Sequence, residues 1–200
     1  KYSVTLQTVR YLQKLYPDHT FDFLNAGQTI KSLEKDFAPA RQAMEKADVL
    51  LFSYPVYTFL APCQLHRFIE LLKAAQLPLE GKYATQLTTS KHFYDITAHR
   101  YIQDNCADLG LRYVKGLSAD MDDLLKEDLR ENFVEWWRYV HFQIENDIYE
   151  KADAVAPHRE TYLSSATPVE KKGEKKIIVV TDNTENASLM DMVTDFVNLC

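Results

Sequence analysis

Three short segments of this 200-residue chain carry side chains suited to chemistry. Ser3 and Thr5 set two hydroxyls where a helical pattern begins. Tyr54-Pro55-Val56-Tyr57-Thr58-Phe59-Leu60-Ala61-Pro62 holds aromatic rings in a loop framed by prolines. Thr88-Thr89-Ser90-Lys91-His92-Phe93-Tyr94 adds hydroxyls and a histidine, the side chain that exchanges protons near neutral pH. A helix N-terminus offers free N–H groups and the positive end of a dipole, so hydroxyls beside it suit a phosphate without lysine or arginine. Two roles are open to Ser3 and Thr5: ordinary N-capping and anion binding.

Composition narrows the chemistry. The five glycines, about a third of the ordinary frequency, form neither G-x-G-x-x-G nor G-x-x-x-x-G-K, so glycine-rich phosphate cradles are excluded. A net charge of −6 and a pI near 5.5 argue against nucleic acid and anionic membrane as partners. No apolar run reaches the roughly 18 residues of a membrane span, and no signal peptide opens the sequence. Cys63, Cys106 and Cys200 are an odd count without C-x-x-C, which disfavours disulfides, zinc and iron–sulfur clusters and fits a reduced, cytoplasmic protein. His66 and His99 have no partner at metal-ligand spacing, so no metal is assigned. Cys63 sits at a helix start, where a thiolate is favoured, although most such cysteines are inert. Cys106 reads as core. Trp136-Trp137 read as packing, and Asp120-Met121-Asp122-Asp123 as a helix-start charge preference.

The elements that must position these segments alternate. A helix carries Val9, Leu12, Leu15 and Tyr16 up to Pro17. Residues 20–24 alternate as a strand, and 33–46 read as a polar helix. The apolar run 47–54 suits a strand covered on both faces. A helix from Pro62 bears Leu65, Phe68, Ile69 and Leu72, followed by a strand over 82–88. A helix with Ala98, Tyr101, Ile102, Cys106 and Leu109 closes at Gly110. A strand over 111–117 leads to a long helix from Leu125 to Ile148. Strands alternating with helices imply βαβ crossovers. Four strands are counted from residue 20, and a fifth is expected before Lys1. The fold class is α/β: a doubly wound, parallel five-stranded sheet of flavodoxin type with helices on both faces, over residues 1–150. Residues 151–175, with prolines and the run Glu170-Lys171-Lys172-Gly173-Glu174-Lys175-Lys176, read as a linker. Residues 176–200 repeat strand, polar loop and helix. They either open a second similar domain or supply the strand missing from the first position.

In such a sheet, ligands bind beyond the carboxyl ends of the strands, where the three segments converge. Here the chain resembles a known family. The stretch from Pro55 to Pro62, with the amphipathic helix after it, resembles the P-x-Y-x-x-x-x-A-P loop of flavodoxin-like NAD(P)H-dependent FMN reductases, which is shared with related quinone reductases and iron–sulfur flavoproteins. Ser3 and Thr5 match the S-x-T end of that family's phosphate loop, and the resemblance covers roughly residues 1–145. It implies bound FMN, NAD(P)H as co-substrate, a small-molecule electron acceptor and a homodimer. Expected cofactor contacts are Ser3, Thr5, Pro55, Val56, Tyr57, Thr58, Phe59, Thr89, Ser90 and His92. Tyr57 and Phe59 either stack on the ring or cover a sheet edge. His92 and Tyr57 are the expected catalytic groups, with a surface role equally open to His92. The third loop departs from the family's small residues at Ser90-Lys91-His92-Phe93-Tyr94, where bulk is expected to narrow the pocket, alter the reduction potential or exclude the nicotinamide. The function expected is an FMN-dependent oxidoreductase passing electrons from NAD(P)H to a small acceptor. The alternatives are an electron carrier or an FMN-free structural domain of a tandem protein.

Overall fold

Ser3 starts the first helix. At φ −92° and ψ 121° it caps α1 (Val4–Leu15), its Oγ accepting the Leu6 N–H at 3.3 Å. The computed structural model describes residues 3–91, 95–151, 178–181 and 185–199. Residues 20–24, expected as a strand, are irregular; a strand forms only against a neighbour, and no described strand lies beside them. The single helix expected over 33–46 is two helices, α2 (Ala26–Leu33) and α3 (Ala38–Lys46). Asn25 caps the first, and the Asp36 carboxylate accepts the Ala38 N–H at 2.9 Å just before the second. Pro39, in the first turn of α3, suits a fresh start rather than a continuing helix.

β1 (Val49–Pro55) pairs in parallel with β2 (Tyr83–Ser90), in register from Val49↔Tyr83 to Pro55↔Thr89. On its other edge β2 takes β3 (Arg112–Tyr113) and β4 (Leu117–Asp120), also parallel. The strand expected over 111–117 is thus two pieces, interrupted at Lys115-Gly116. A Cβ on Gly116 would overlap the Gln86 side chain and its carbonyl oxygen, so glycine is required where the chain steps against β2. Of the five strands expected, the described residues hold the order β1, β2, then β3 with β4, and the strand count falls short where 20–24 is irregular.

Period-two alternation splits the side chains between two faces. Leu50, Phe52, Tyr54 and Ala84 face a core built with α4 (Cys63–Ala74) and α5 (Ile96–Asp108), which contribute Phe68, Ile69, Leu72, Ala98, Ile102 and Cys106. Leu87, Val114 and Ala119 face α1 and α6 (Glu127–Glu145) through Val9, Leu12, Phe133, Trp136, Trp137 and Val140. Helices on both faces of a parallel sheet give the doubly wound α/β class. Cys106 is core, and burial pushes its thiol up to about 12. Gly110, at φ +71°, ends α5 in the left-handed conformation expected of it. The long helix stops at Glu145; Leu125 lies in a short 3-10 turn (Asp123–Leu125) and is 79% exposed.

The chain divides into residues 1–153 and 154–200. The expected linker lies, apart from Lys151, outside the described residues. Residues 178–180, expected as part of a buried strand, carry none, and Ile178 and Val180 are 87% and 90% exposed. Helix α7 (Ala187–Leu199) follows, with Asn186 Oδ1 accepting the Leu189 N–H. No helix among the described residues is long and apolar enough to cross a membrane.

Behind α1 lies a cluster of titratable rings. His141 on α6 has His19 edge-on at 4.8 Å between centroids, Trp137 edge-on at 5.3 Å and Tyr16 stacked at 5.8 Å. Burial lowers the His141 pKa, His19 lowers it further, and Glu145 opposes both. A histidine depressed in the folded state leaves the unfolded chain holding more protons below about pH 6.5. Its contribution is present above that pH and is lost as pH falls through the folded value. His141→Gln is therefore expected to flatten the fall in urea midpoint between pH 7 and pH 5; an unchanged slope would assign the acid sensitivity elsewhere.

Candidate active site

Four chain segments meet at the carboxyl ends of the strands. Thr5, in the first turn of α1, and Thr89, on β2, are 84 residues apart in sequence, yet their buried hydroxyls hydrogen-bond. The Val56 N–H donates to the Thr89 carbonyl at 3.0 Å, tying the loop after β1 to the same spot. The Met121 N–H donates to the Ser90 carbonyl at 3.0 Å, bringing in the end of β4. Thr5, Val56, Thr89 and Ser90 are thereby brought together, with Ser3 exposed at the open end of α1. The Ser90 Oγ is buried and has no hydrogen-bond partner among the described residues. A buried hydroxyl ordinarily finds a partner, and an orphan at the mouth of a sheet calls for an explanation.

The loop after β1 stores strain. Tyr57 and Leu60 exchange both backbone hydrogen bonds, at 3.0 and 3.1 Å, closing a two-residue turn. Its central residues, Thr58 and Phe59, both have positive φ, 48° and 72°. That is the pattern of a type I′ turn, which favours asparagine and glycine. A β-branched threonine in the left-handed region costs about 1–2 kcal/mol, and such strain concentrates at functional sites. The turn lifts Tyr57 to 64% and Phe59 to 43% exposure, so neither is a core group. Pro55 and Val56 are half-buried at its base. Thr58→Gly is expected to raise the melting temperature by about 2–4 °C, in line with about 1 kcal/mol of released strain. A lower melting temperature by calorimetry would show that the threonine makes a compensating contact.

His92, Phe93 and Tyr94 lie outside the described residues, so the third loop is framed by its ends, Ser90 and Asp95. At this frame sits a polar chain that the sequence reading passed over. The Tyr54 hydroxyl is 2.6 Å from Gln86 Oε1 and 3.1 Å from the Ala98 carbonyl. The Gln86 amide donates to the His99 carbonyl at 3.0 Å and to the Tyr113 hydroxyl. Thr88 Oγ1 stands 2.8 Å from His99 Nε2. His99, set aside for want of a metal-ligand partner, has a carboxylate partner instead: Asp95, four residues earlier on the same helix, at 3.6 Å. That i, i+4 spacing of acid and histidine was the available signal. The Asp120–Asp123 cluster closes on its own backbone, the Asp123 carboxylate accepting the Asp120 N–H at 2.7 Å. Trp136 and Trp137 pack the core, with Trp136 Nε1 donating to the Lys115 carbonyl at 3.0 Å.

Residues 2–116 match the family model described as NADPH-dependent FMN reductase. The chain belongs to that family. None of the curated proteins is similar to it at a significant level. Among solved structures, the apo form of an NADH:FMN oxidoreductase is 18% identical with a TM-score of 0.54, over 72% of this chain and 83% of that one. An NADPH-quinone reductase from P. pentosaceus is 16% identical at TM-score 0.53, over 68% and 89%. An FMN-dependent NADH-azoreductase from Bacillus anthracis, in complex with FMN, is 13% identical at 0.51, over 70% and 91%. At these identities the likeness speaks for the flavodoxin-like fold. As an FMN reductase family member, the protein is a flavin oxidoreductase with FMN as cofactor and NAD(P)H as co-substrate. The residues present fit that group: the start of α1 offers N–H donors to an anion, the Thr5 and Thr89 hydroxyls meet there, and the Ser90 hydroxyl at the end of β2 is a buried polar atom without a partner among the described residues.

Proposed function

We propose that this protein takes electrons from NAD(P)H and passes them to a small-molecule acceptor at the strand ends. The observation that carries the proposal is the buried Thr5–Thr89 hydroxyl pair in the first turn of α1, at the carboxyl end of the strand that also bears the buried Ser90. FMN, when bound, supplies the hydride and electron chemistry. Ser3, Thr5 and the free N–H groups of α1 hold its phosphate by hydrogen bonds and the helix dipole. Pro55, Val56 and Thr58 offer backbone groups to the ring edge, and Thr89 and Ser90 face it from β2. Tyr57 and Phe59, lifted into solvent by the strained turn, supply stacking surface for a flat ring. Tyr57 and His92 are the candidates for proton exchange with the acceptor.

The exposed Tyr57, Phe59 and Leu60 also support a homodimer that covers this tip. The sequence order of apolar run, polar stretch and helix-forming segment over residues 176–200 supports a second domain of similar kind. The deciding experiment is a visible absorption spectrum of the protein after loading with FMN and removing the excess. A retained, shifted flavin band together with NADH or NADPH oxidation upholds the proposal. A retained band without oxidation would make the protein an electron carrier, and no retained band would leave a structural domain.

A further inference from the structure

The carboxylate at the start of α5 does not serve the position it occupies. Asp95 is the N-cap residue, where aspartate ordinarily accepts N–H groups of the first turn. Its side chain makes no such bond. Its Oδ2 instead lies 3.3 Å from Thr88 Oγ1 and 3.6 Å from His99 Nε2. Thr88 is fully buried and its Oγ1 is 2.8 Å from the same imidazole nitrogen. A hydroxyl has one proton to give and lone pairs to receive. With the Thr88 proton directed to Asp95, its oxygen accepts the His99 Nε2–H, and three groups form one continuous chain. That chain ends on β2, with Thr88 next in sequence to Thr89 and Ser90 of the proposed flavin site.

Among the described residues, the groups facing His99 are few. Asp95 comes from its own helix, and Lys115 from the β3–β4 connection. From β1 and β3 come the phenols of Tyr54 and Tyr113, reached through Gln86 and its bond to the His99 carbonyl. Burial keeps both phenols protonated, raising Tyr54 strongly and Tyr113 to about 12. Burial lowers the His99 pKa, Asp95 pulls it up, and Lys115 adds to the lowering. The imidazole therefore rests neutral with a carboxylate at hand to receive its charged form.

We propose that Asp95, Thr88 and His99 form a proton-linked positioning unit for the flavin site, with His99 gaining a proton when the site becomes negative and losing it when that charge leaves. The inference rests on the flavin reading above. Hydride delivery from NAD(P)H brings two electrons and one proton and adds one negative charge to the site. His99 takes one further proton from solvent at its unprotonated ring nitrogen. The acceptor then leaves with a hydride and one proton, and the imidazole returns to neutral. In sum NAD(P)H, one proton and the acceptor give NAD(P)+ and an acceptor reduced by two electrons and two protons. The acceptor class this suits is one whose reduction consumes a proton, such as a quinone-type ring.

The test is an NMR titration of the His99 ring protons in the FMN-loaded protein, first oxidised and then reduced with dithionite. His99→Gln assigns the resonance, and Asp95→Asn assigns it independently should the first variant fail to fold. The His99 midpoint is expected to rise by about one pH unit or more on reduction. Asp95→Asn is expected to lower the oxidised-state midpoint and shrink the rise. Retained flavin with the same His99 midpoint in both redox states would overturn the unit and leave the flavin reading standing. Failure to retain FMN would overturn the flavin reading, and this inference with it.

Discussion

Gly116→Ala is expected to lower the melting temperature by roughly 6–12 °C, which corresponds to about 3 kcal/mol in a chain of this size. The added methyl would meet the Gln86 carbonyl oxygen as well as its side chain, and a backbone atom in a central strand cannot swing away. Relief would need β2 or the Lys115-Gly116 step to move. That step carries the Lys115 carbonyl, which accepts the Trp136 indole N–H at 3.0 Å and lies 3.5 Å from the Thr85 hydroxyl. Gly27, inside α2, is the matched control, since the nearest atom to its added methyl would be 3.9 Å away. Gly27→Ala is expected to stabilise by about 0.5–1 kcal/mol through helix propensity. Far-UV circular dichroism melts of the two variants check both signs; equal melts would show that the β3–β4 step yields freely.

Gln86→Leu is the second large effect. Gln86 is fully buried and holds together three elements through one amide. Leucine would take one partner from each of three buried groups: the Tyr113 hydroxyl, which keeps its bond to the Gly116 backbone, the His99 carbonyl within α5, and the Tyr54 hydroxyl, which keeps the Ala98 carbonyl. A buried hydrogen bond is worth about 1 kcal/mol net, so a loss of about 3 kcal/mol is expected. Tyr54→Phe removes one donor and is expected to cost about half as much. The comparison of urea midpoints decides it: equal losses would mean that water replaces the amide.

Much of this architecture was legible in the sequence because burial leaves a period. The run of β1 and the stripes of α4, α5 and α6 all follow from apolar spacing, although α6 is shorter at both ends than its stripe of Leu125 to Ile148. The failures have physical reasons. Residues 20–24 alternate as a strand does, but alternation describes a face and not a neighbour, and among the described residues β1 pairs only with β2. The break in 33–46 was written in Asp36 and Pro39, a capping acid and a helix-starting proline. The meeting of Thr5, Val56, Thr89 and Ser90 followed from topology alone, since parallel strands deliver their carboxyl ends to one edge. The diversion of Asp95 from its cap to Thr88 and His99 did not, because an aspartate before a helix reads as a cap whatever its side chain does.

Both tryptophans of the chain, Trp136 and Trp137, sit next to each other on α6. The tryptophan fluorescence of the protein is therefore the emission of one turn of one helix. Trp137 has the His141 ring 5.3 Å away, and a protonated imidazole quenches indole emission on contact. Emission intensity against pH thus reads the protonation of a single side chain, with no label attached, and separates local titration from unfolding by the absence of a wavelength shift.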